Sequence, residues 1–177
     1  MGTENIYYKY YLHESLSKTA IQMNNDEEDS SYGGVSAGSS AASKAKRIDP
    51  DADVKIIQDE SVVSYGTCGM PCVIEGVLNN FEELIERSVD IFKNQYHIDV
   101  IVNTHVQKID RLKKQVCATD LNSRKETVFD YDSLVIATGA RAVVPNIEGV
   151  DKKGVFLIRN YEDGIKINDS LKMPVHV

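Results

Sequence analysis

The chain of 177 residues contains no tryptophan, only four prolines and only three cysteines. None of its apolar runs approaches the roughly 20 residues needed to cross a bilayer, and the N-terminus lacks the apolar core and cleavage site of an export signal. Three cysteines do not suggest a disulfide framework, so the sequence predicts a reducing, cytoplasmic setting. Positive charge is also scarce, and the net charge of −7 argues against nonspecific binding to nucleic acid or to an anionic membrane.

The beginning of the chain differs in character from the rest. Residues 1–32 are predicted to be an atypical polar N-terminal segment, in which residues 6–12 are tyrosine-rich and compatible with a strand or the start of a helix. Residues 24–32 are acidic, with almost nothing to bury, which predicts a flexible linker. From Gly33 onward the pattern is globular. We therefore predict one domain over residues 33–177, long enough to bury a real core.

The apolar periodicity from Gly33 onward predicts both helices and strands. The predicted helices are 39–47, a short helix at Cys68, 81–96 and 160–171, and the predicted strands are 54–57, 100–106, 115–120, 126–129 and a buried strand at 131–137. Polar turns separate strands 100–106, 115–120 and 126–129, which predicts an antiparallel meander. The order of elements predicts an α/β, Rossmann-like domain with a parallel sheet and a small meander.

A glycine turn, Gly33-Gly34-Val35-Ser36-Ala37-Gly38, opens the first predicted helix. Glycines in such a turn let backbone N–H groups approach a pyrophosphate at the helix N-terminus. The alternative is a glycine-rich loop without a nucleotide, because the motif needs a strand before it and the preceding residues are acidic. The first strand of the sheet is therefore expected to be absent or replaced, with residues 6–12 as one replacement.

An acidic side chain about 20 residues after such a turn commonly binds a ribose hydroxyl. Counting forward leads to Gln58, whose amide can also bond a hydroxyl, and to Asp59, the nearest acidic residue. The alternative is that Gln58, Asp59 and Glu60 are solvated residues at the end of a strand.

Cys68, in the segment Ser64-Tyr65-Gly66-Thr67-Cys68-Gly69-Met70-Pro71, is the candidate redox thiol. A thiol is nucleophilic only as the thiolate, which the start of a helix favours. The alternative is a small buried hydrophobe. Cys72, one helical turn further, could resolve an oxidised Cys68, although a packing role is favoured for it. Cys117 is predicted to be structural, and the four histidines form no metal-binding pattern.

Four segments occur in an order typical of one family: GGVSAGSSAASKAKR, VSYGTCGMP, FDYDSLVIATGARAVVPNIEGVD and FLIRNYEDG. With them, residues 33–177 resemble the FAD-binding domain of the pyridine nucleotide–disulfide oxidoreductases, in the branch of coenzyme A disulfide reductase, NADH oxidase and NADH peroxidase. The resemblance implies a fragment that stops before the NAD(P)H-binding domain. It also implies a homodimer for full-length members.

The resemblance implies specific roles for residues of this chain. Cys68 would be the redox-active cysteine beside the flavin. The remaining FAD contacts would be Gly33, Gly34, Val35, Gly38, Gln58, Asp59, Val106, Ala137, Thr138, Gly139, Ala140 and Arg159. The substrate contacts of the coenzyme A branch would be Ser40, Lys44, Arg47, Ser64 and Thr67. Lys44 and Arg47 could instead be a solvated helix face.

The implied function is an FAD-dependent NAD(P)H:disulfide oxidoreductase with a single redox cysteine. Ser36 stands where the peroxidase and the water-forming oxidase have a histidine, which favours disulfide reduction. The acceptor would be a small-molecule disulfide, such as coenzyme A disulfide, or oxygen, and NAD(P)H would need a partner or a missing domain. Two alternatives are an inactive remnant and the FAD-binding subunit of a split enzyme, neither catalytic alone.

Overall fold

The computed structural model describes residues 18–23, 35–140 and 142–172. Within these ranges the strands are β1 Lys18–Met23, β2 Asp53–Gln58, β3 Asp99–Ile101, β4 Thr104–Asp110, β5 Gln115–Asp120, β6 Glu126–Asp130 and β7 Ser133–Ile136. The α-helices are α1 Ala37–Ile48, α2 Met70–Glu75, α3 Val89–Tyr96 and α4 Tyr161–Lys172, with 3-10 helices at Thr67–Gly69 and Phe81–Leu84. None of the helices in these ranges is long and apolar enough to cross a membrane.

A parallel sheet with the strand order β3-β2-β1-β7 forms the centre of the domain. Strand β1 lies between β2 and β7, and Ile21 pairs with Ile56 on one side and with Val135 on the other. The first strand, expected to be absent or replaced, is therefore supplied by Lys18–Met23, inside the segment read as atypical and polar. Apolar and polar residues alternate only weakly in its sequence, so pairing with the neighbouring strands on both sides decides its conformation. Residues 6–12, the replacement considered from the sequence, lie outside the described residues.

The second sheet is the antiparallel meander β4-β5-β6. The prediction of a single strand over 100–106 is wrong, because Asn103 breaks it into β3 of the parallel sheet and β4 of the meander. Asn103 adopts a left-handed φ of 50°, donates its N–H to the carbonyl oxygen of Glu60 at 3.0 Å, and accepts a hydrogen bond from the Leu121 N–H at 2.7 Å. The chain thus changes sheets beside the carboxyl end of β2.

Helix α1 covers one face of the parallel sheet through Ala42, which is fully buried. Helix α3 contributes Phe92 to the same apolar cluster, whose buried members are Ala42, Ala52, Val54, Ile56, Val63, Phe92 and Ile98. The predicted helix 39–47 is confirmed within Ala37–Ile48. Its small residues allow the helix axis to approach the sheet closely.

The predicted helix 81–96 is instead two helices. Asn80 caps the 3-10 helix Phe81–Leu84, and Ser88 caps α3 by accepting a hydrogen bond from the Ile91 N–H at 3.3 Å. Between them, Ile85 is extended and forms a β-bridge with Tyr65. The apolar residues keep helical spacing across the break, which is why periodicity alone joins the two helices.

The predicted buried strand 131–137 is shorter and less buried than expected. Strand β7 covers Ser133–Ile136, and Val135 and Ile136 are 37% and 60% exposed. β7 is the terminal strand in the order of the described sheet, so no described strand lies beyond it. An apolar run predicts burial only when another layer covers it.

Candidate functional site

Three of the segments singled out from the sequence follow the carboxyl ends of adjacent parallel strands. The start of α1 follows β1, the cysteine segment follows β2, and residues 137–140 follow β7. In open α/β sheets, ligands bind at this edge. Adjacent strands therefore bring together a helix N-terminus, a thiol and a glycine-containing turn.

The N-terminus of α1 is suited to an anion. Ser36 makes no side-chain capping bond there, and the first turn contains no acidic residue. The first N–H groups of a helix have no intrahelical partner, so an anion can accept from them. Val35 is half-buried and Gly38 is buried, whereas Gly33 and Gly34 lie outside the described residues.

The end of β2 carries buried polar groups. Gln58 is fully buried, and its Nε2 donates to Glu60 Oε1 at 3.3 Å. Within the described ranges, the Oε1 atom of Gln58 has no hydrogen-bond partner. Asp59 Oδ2 lies 3.8 Å from His105 Nδ1 on β4. The reading of these residues as solvated is therefore wrong for Gln58 and for Glu60, which is 4% exposed.

Glu60 is the acid that sequence reasoning did not assign to the site. Burial raises the pKa of its carboxyl group to about 8, although the hydrogen bond from the Tyr65 hydroxyl acts in the opposite direction and lowers this pKa. Glu162 and Asp59 nearby also raise this pKa. The Tyr65 hydroxyl lies 2.8 Å from Glu60 Oε2 and accepts from the Tyr161 N–H at 3.1 Å. This chain of bonds links the end of β2 to the start of α4.

Cys68 lies in the 3-10 helix Thr67–Gly69, directly before α2, and its side chain is exposed. The expected short helix at the cysteine is confirmed, and the alternative of a buried core residue is wrong. The Gly66 N–H donates to the Leu84 carbonyl oxygen at 2.8 Å. A Cβ atom at Gly69 would lie 2.5 Å from Leu84 Cδ2. The missing side chain at Gly69 thus allows the thiol-bearing turn to pack closely against Leu84.

An aromatic cluster holds the cysteine segment against α4. The Tyr161 ring packs edge-on against Tyr65, with centroids 5.4 Å apart, and against Phe81, at 5.7 Å. A Cβ atom at Gly164 would lie 2.6 Å from Phe81 Cε1 and 3.1 Å from Met70 Sδ. Helix α4 therefore packs closely on the helices that follow the thiol.

The residues expected to contact substrate lie on helix α1 and in the cysteine segment. Ser40, Lys44 and Arg47 are exposed and share one face of α1, as residues three and four apart on a helix do. Thr67 is half-buried beside the cysteine, whereas Ser64 is 2% exposed and has a left-handed φ of 52°. Their substrate roles stay predictions.

The segment after β7 lies against Arg159. The Arg159 Nε donates to the Ala140 carbonyl oxygen at 2.8 Å, and Gly139 adopts a φ of 72° that favours glycine. Ala137 and Thr138 are half-buried. The structure thus joins Arg159 to the predicted cofactor segment.

A cavity of about 400 Å³ adjoins the end of β2, between the meander and α4. It is lined by Asp59, Glu60, Asn103, His105, Leu121, Asn160, Glu162 and Lys166. Val106, the residue expected near an adenine, is 2% exposed and belongs to the apolar cluster under the meander. Among the described residues, no group of three or more His, Cys, Asp or Glu could hold a metal ion.

These features define an α/β domain with a candidate binding edge at the carboxyl ends of its parallel strands. A family profile described as pyridine nucleotide-disulphide oxidoreductase matches residues 33–176. The chain belongs to this family, which confirms both the resemblance and the fold class stated from the sequence.

Two curated relatives come from archaea. The chain is 34% identical over 132 residues to an NADH oxidase of Methanocaldococcus jannaschii, covering 75% of this chain and 29% of that protein. It is 37% identical over 140 residues to the NAD(P)H sulfur oxidoreductase (CoA-dependent) of Pyrococcus abyssi, covering 79% of this chain and 30% of that protein. The chain thus spans less than a third of the length of these curated relatives.

Solved structures share the fold. The NAD-dependent persulfide reductase from A. fulgidus has a TM-score of 0.76 at 34% identity, over 88% of this chain and 27% of that chain. The Bacillus anthracis CoADR-RHD protein has a TM-score of 0.79 over 89% and 27%, and at 24% identity this likeness concerns the fold alone.

Proposed function

We propose that this chain is the FAD-binding part of an NAD(P)H-dependent disulfide oxidoreductase with Cys68 as its redox thiol. The observation that carries the proposal is the exposed thiol of Cys68, which follows the carboxyl end of β2 in the same sheet as the ends of β1 and β7. The names of the relatives, which include NADH oxidase, NAD(P)H sulfur oxidoreductase and coenzyme A disulfide reductase, support this class of reaction.

The residues present fit FAD. The N-terminus of α1, which the Ser36 side chain does not cap, would donate its N–H groups to the pyrophosphate, and the buried Gln58 Oε1 would accept a hydrogen bond from a ribose hydroxyl. A buried polar atom without a partner is costly, and a ligand hydroxyl would remove that cost. When bound, FAD would supply two-electron transfer between NAD(P)H and the thiol–disulfide couple. The chain itself positions the cofactor and the thiol.

Cys68 would act as a nucleophile toward a small disulfide. Its thiolate attacks one sulfur and forms a mixed disulfide, and the other half leaves as a thiol. Lys44 and Arg47 on the exposed face of α1 would bind phosphates of a coenzyme A-type substrate. Ser36 offers no imidazole for peroxide chemistry, so a disulfide acceptor is favoured over oxygen.

A thermal-shift titration with FAD tests the cofactor. At a ligand concentration a hundredfold above Kd, binding to the folded state adds about 2.7 kcal/mol of stability. Gln58→Leu keeps a similar volume but removes the amide, so we expect it to weaken binding. Leu112→Ala changes a side chain that is 99% exposed and serves as the control. A wild-type protein with no FAD-dependent shift and no yellow colour would refute FAD binding.

A second candidate is an FAD-binding subunit that is not catalytic alone. Two observations favour it: the small share of the relatives that the chain covers, and exposed apolar side chains at the β7 edge and beyond, namely Ile136, Val143, Val144, Ile147 and Phe156. We expect the purified chain with FAD not to oxidise NAD(P)H in a spectrophotometric assay. Oxidation that is abolished in Cys68→Ser would contradict this candidate.

A further inference from the structure

Two thiols lie one turn apart at the start of the helix that carries the candidate nucleophile. Cys68 belongs to the 3-10 helix Thr67–Gly69, which continues directly into α2, and Cys72 lies in α2. Residues four apart in an α-helix have Cβ atoms about 5–6 Å apart, and the 3-10 turn at Cys68 leads into α2 so that the two thiols lie within about one helical turn of each other. Cys68 is exposed and Cys72 is half-buried, so neither residue is enclosed in the core.

Packing does not account for the position of Cys72. The cluster beneath this helix includes Met70 and Val73 as buried members, with Ile74 packed against it, but not Cys72. The face of α2 that enters the core is therefore formed by its neighbours. The packing role favoured for Cys72 from the sequence therefore has no support from this cluster, and the residue stays half-buried.

We propose that Cys72 is a resolving thiol, so that Cys68 and Cys72 cycle between a dithiol and an intramolecular disulfide. This deepens the proposed function and rests on the attack of Cys68 on a small disulfide RSSR. In the first step the Cys68 thiolate displaces one RS⁻ and forms Cys68–S–SR. In the second step the Cys72 thiolate attacks the Cys68 sulfur, forms the intramolecular bond, and releases the second RS⁻. The dithiol loses two electrons and two protons, and RSSR becomes two RSH.

The required movement is small and falls on Cys68. A disulfide needs Cβ atoms about 3.5–4.5 Å apart, so two residues spaced by one helical turn must approach by roughly 1–2 Å. Cys72 is held, because its carbonyl oxygen accepts hydrogen bonds from the N–H groups of Gly76, Val77 and Leu78. The start of the helix has no side-chain cap, because its capping residues are Gly66 and Gly69, and it is held by backbone bonds such as that from the Gly69 N–H to the Gly66 carbonyl oxygen at 3.0 Å.

Pro71 further reduces the cost of this movement. Proline has no N–H, so the bond it would otherwise donate to the first turn does not exist and cannot be lost. Unwinding at Cys68 therefore breaks few backbone hydrogen bonds. The six-residue length of α2 also limits how far the disturbance spreads.

Cys117 offers a matched control within the same chain. It is half-buried on β5, in the meander, where it pairs with Lys108 and Val128. It belongs to a different sheet from the one whose β2 leads into the cysteine segment. Cys117→Ser therefore removes one thiol without touching the proposed pair.

The test is a reaction of the reduced protein with 2-hydroxyethyl disulfide, followed by intact-mass and peptide mass spectrometry. This probe has no phosphate or charge, so thiol exchange is separated from substrate recognition. We expect wild type and Cys117→Ser to lose two hydrogens and to contain a peptide pair linked through Cys68 and Cys72. Cys72→Ser should instead retain one hydroxyethylthio adduct on Cys68.

The rate supplies a second measurement. A short tether gives an effective concentration of the order of millimolar, so at about 10 µM protein the adduct should be resolved about a hundredfold faster than by exchange between molecules. Wild type that keeps the adduct as long as Cys72→Ser, or a bond to Cys117 or between two chains, would overturn the proposal while leaving Cys68 reactive. Absence of any adduct on Cys68 in Cys72→Ser would instead overturn the proposed function.

Discussion

Replacing the buried acid Glu60 by glutamine should remove a pH dependence from the stability of the domain. Glu60 is 4% exposed, and its folded-state pKa is about 8 against an ordinary value of 4.5. Below pH 4.5 the carboxyl group is protonated in both the folded and the unfolded state, so it adds no pH dependence to the free energy of unfolding. Between the two pKa values the unfolded state is ionised while the folded state keeps its proton. The free energy of unfolding therefore falls as the pH rises through this window.

The size of the effect follows from the same two values. The slope approaches about 1.4 kcal/mol per pH unit, so raising the pH from about 5.5 to about 7.5 should cost the wild type up to roughly 2.7 kcal/mol through this group. Glu60→Gln has no ionisable group there, and its amide can still accept from the Tyr65 hydroxyl. The variant should therefore gain stability relative to wild type as the pH increases.

Urea denaturation at both pH values measures this difference. Because the chain has no tryptophan, circular dichroism is the appropriate signal. Glu148→Gln, on an exposed loop, controls for the loss of a negative charge elsewhere. Other titrating groups affect wild type and variant alike. The relevant quantity is therefore the difference between their free energies of unfolding, and how much this difference changes between the two pH values. A difference that stays within about 0.5 kcal/mol between the two pH values would refute a raised pKa at Glu60.

Two further substitutions test how the cysteine segment is held. Tyr65→Phe removes the hydroxyl between Glu60 and the Tyr161 N–H, and we expect a loss of about 1–3 kcal/mol in chemical denaturation. Tyr131→Phe is the comparison, and equal losses in both would contradict the bridging role. Gly164→Ala should destabilise by about 1–3 kcal/mol, because its Cβ atom would meet the Phe81 ring at 2.6 Å. An unchanged melting temperature would show that α4 can shift freely away from the cluster.

Local chemistry made several features of the site predictable. Small residues directly after a glycine turn indicate a helix that can approach a sheet, and α1 is such a helix. A cysteine between glycines and before Met-Pro indicates a thiol at the start of a short helix, and Cys68 occupies that position. The polar turns between three alternating strands predicted the meander, because hairpin pairing depends on residues close in sequence.

Other features depend on residues far apart in the chain. Strand β1 has little strand signal of its own, and its backbone pairs with β2 and with β7, more than 100 residues later. The acid at position 60 is buried because Tyr65 and the start of α4 close over it, which no count of local polarity reveals. The break at Asn103 similarly follows from bonds to Glu60 and Leu121.

The order of residues along the chain was thus sufficient for the family, the class of fold and the position of the Cys68 thiol at the start of a short helix. Each of these follows from short segments whose backbone requirements are local. The folded arrangement alone decided which strand fills the centre of the sheet, which carboxyl group is withdrawn from water, and which apolar strand stays exposed. These outcomes come from contacts between distant segments, whose free energies depend on what covers each residue rather than on its neighbours in sequence.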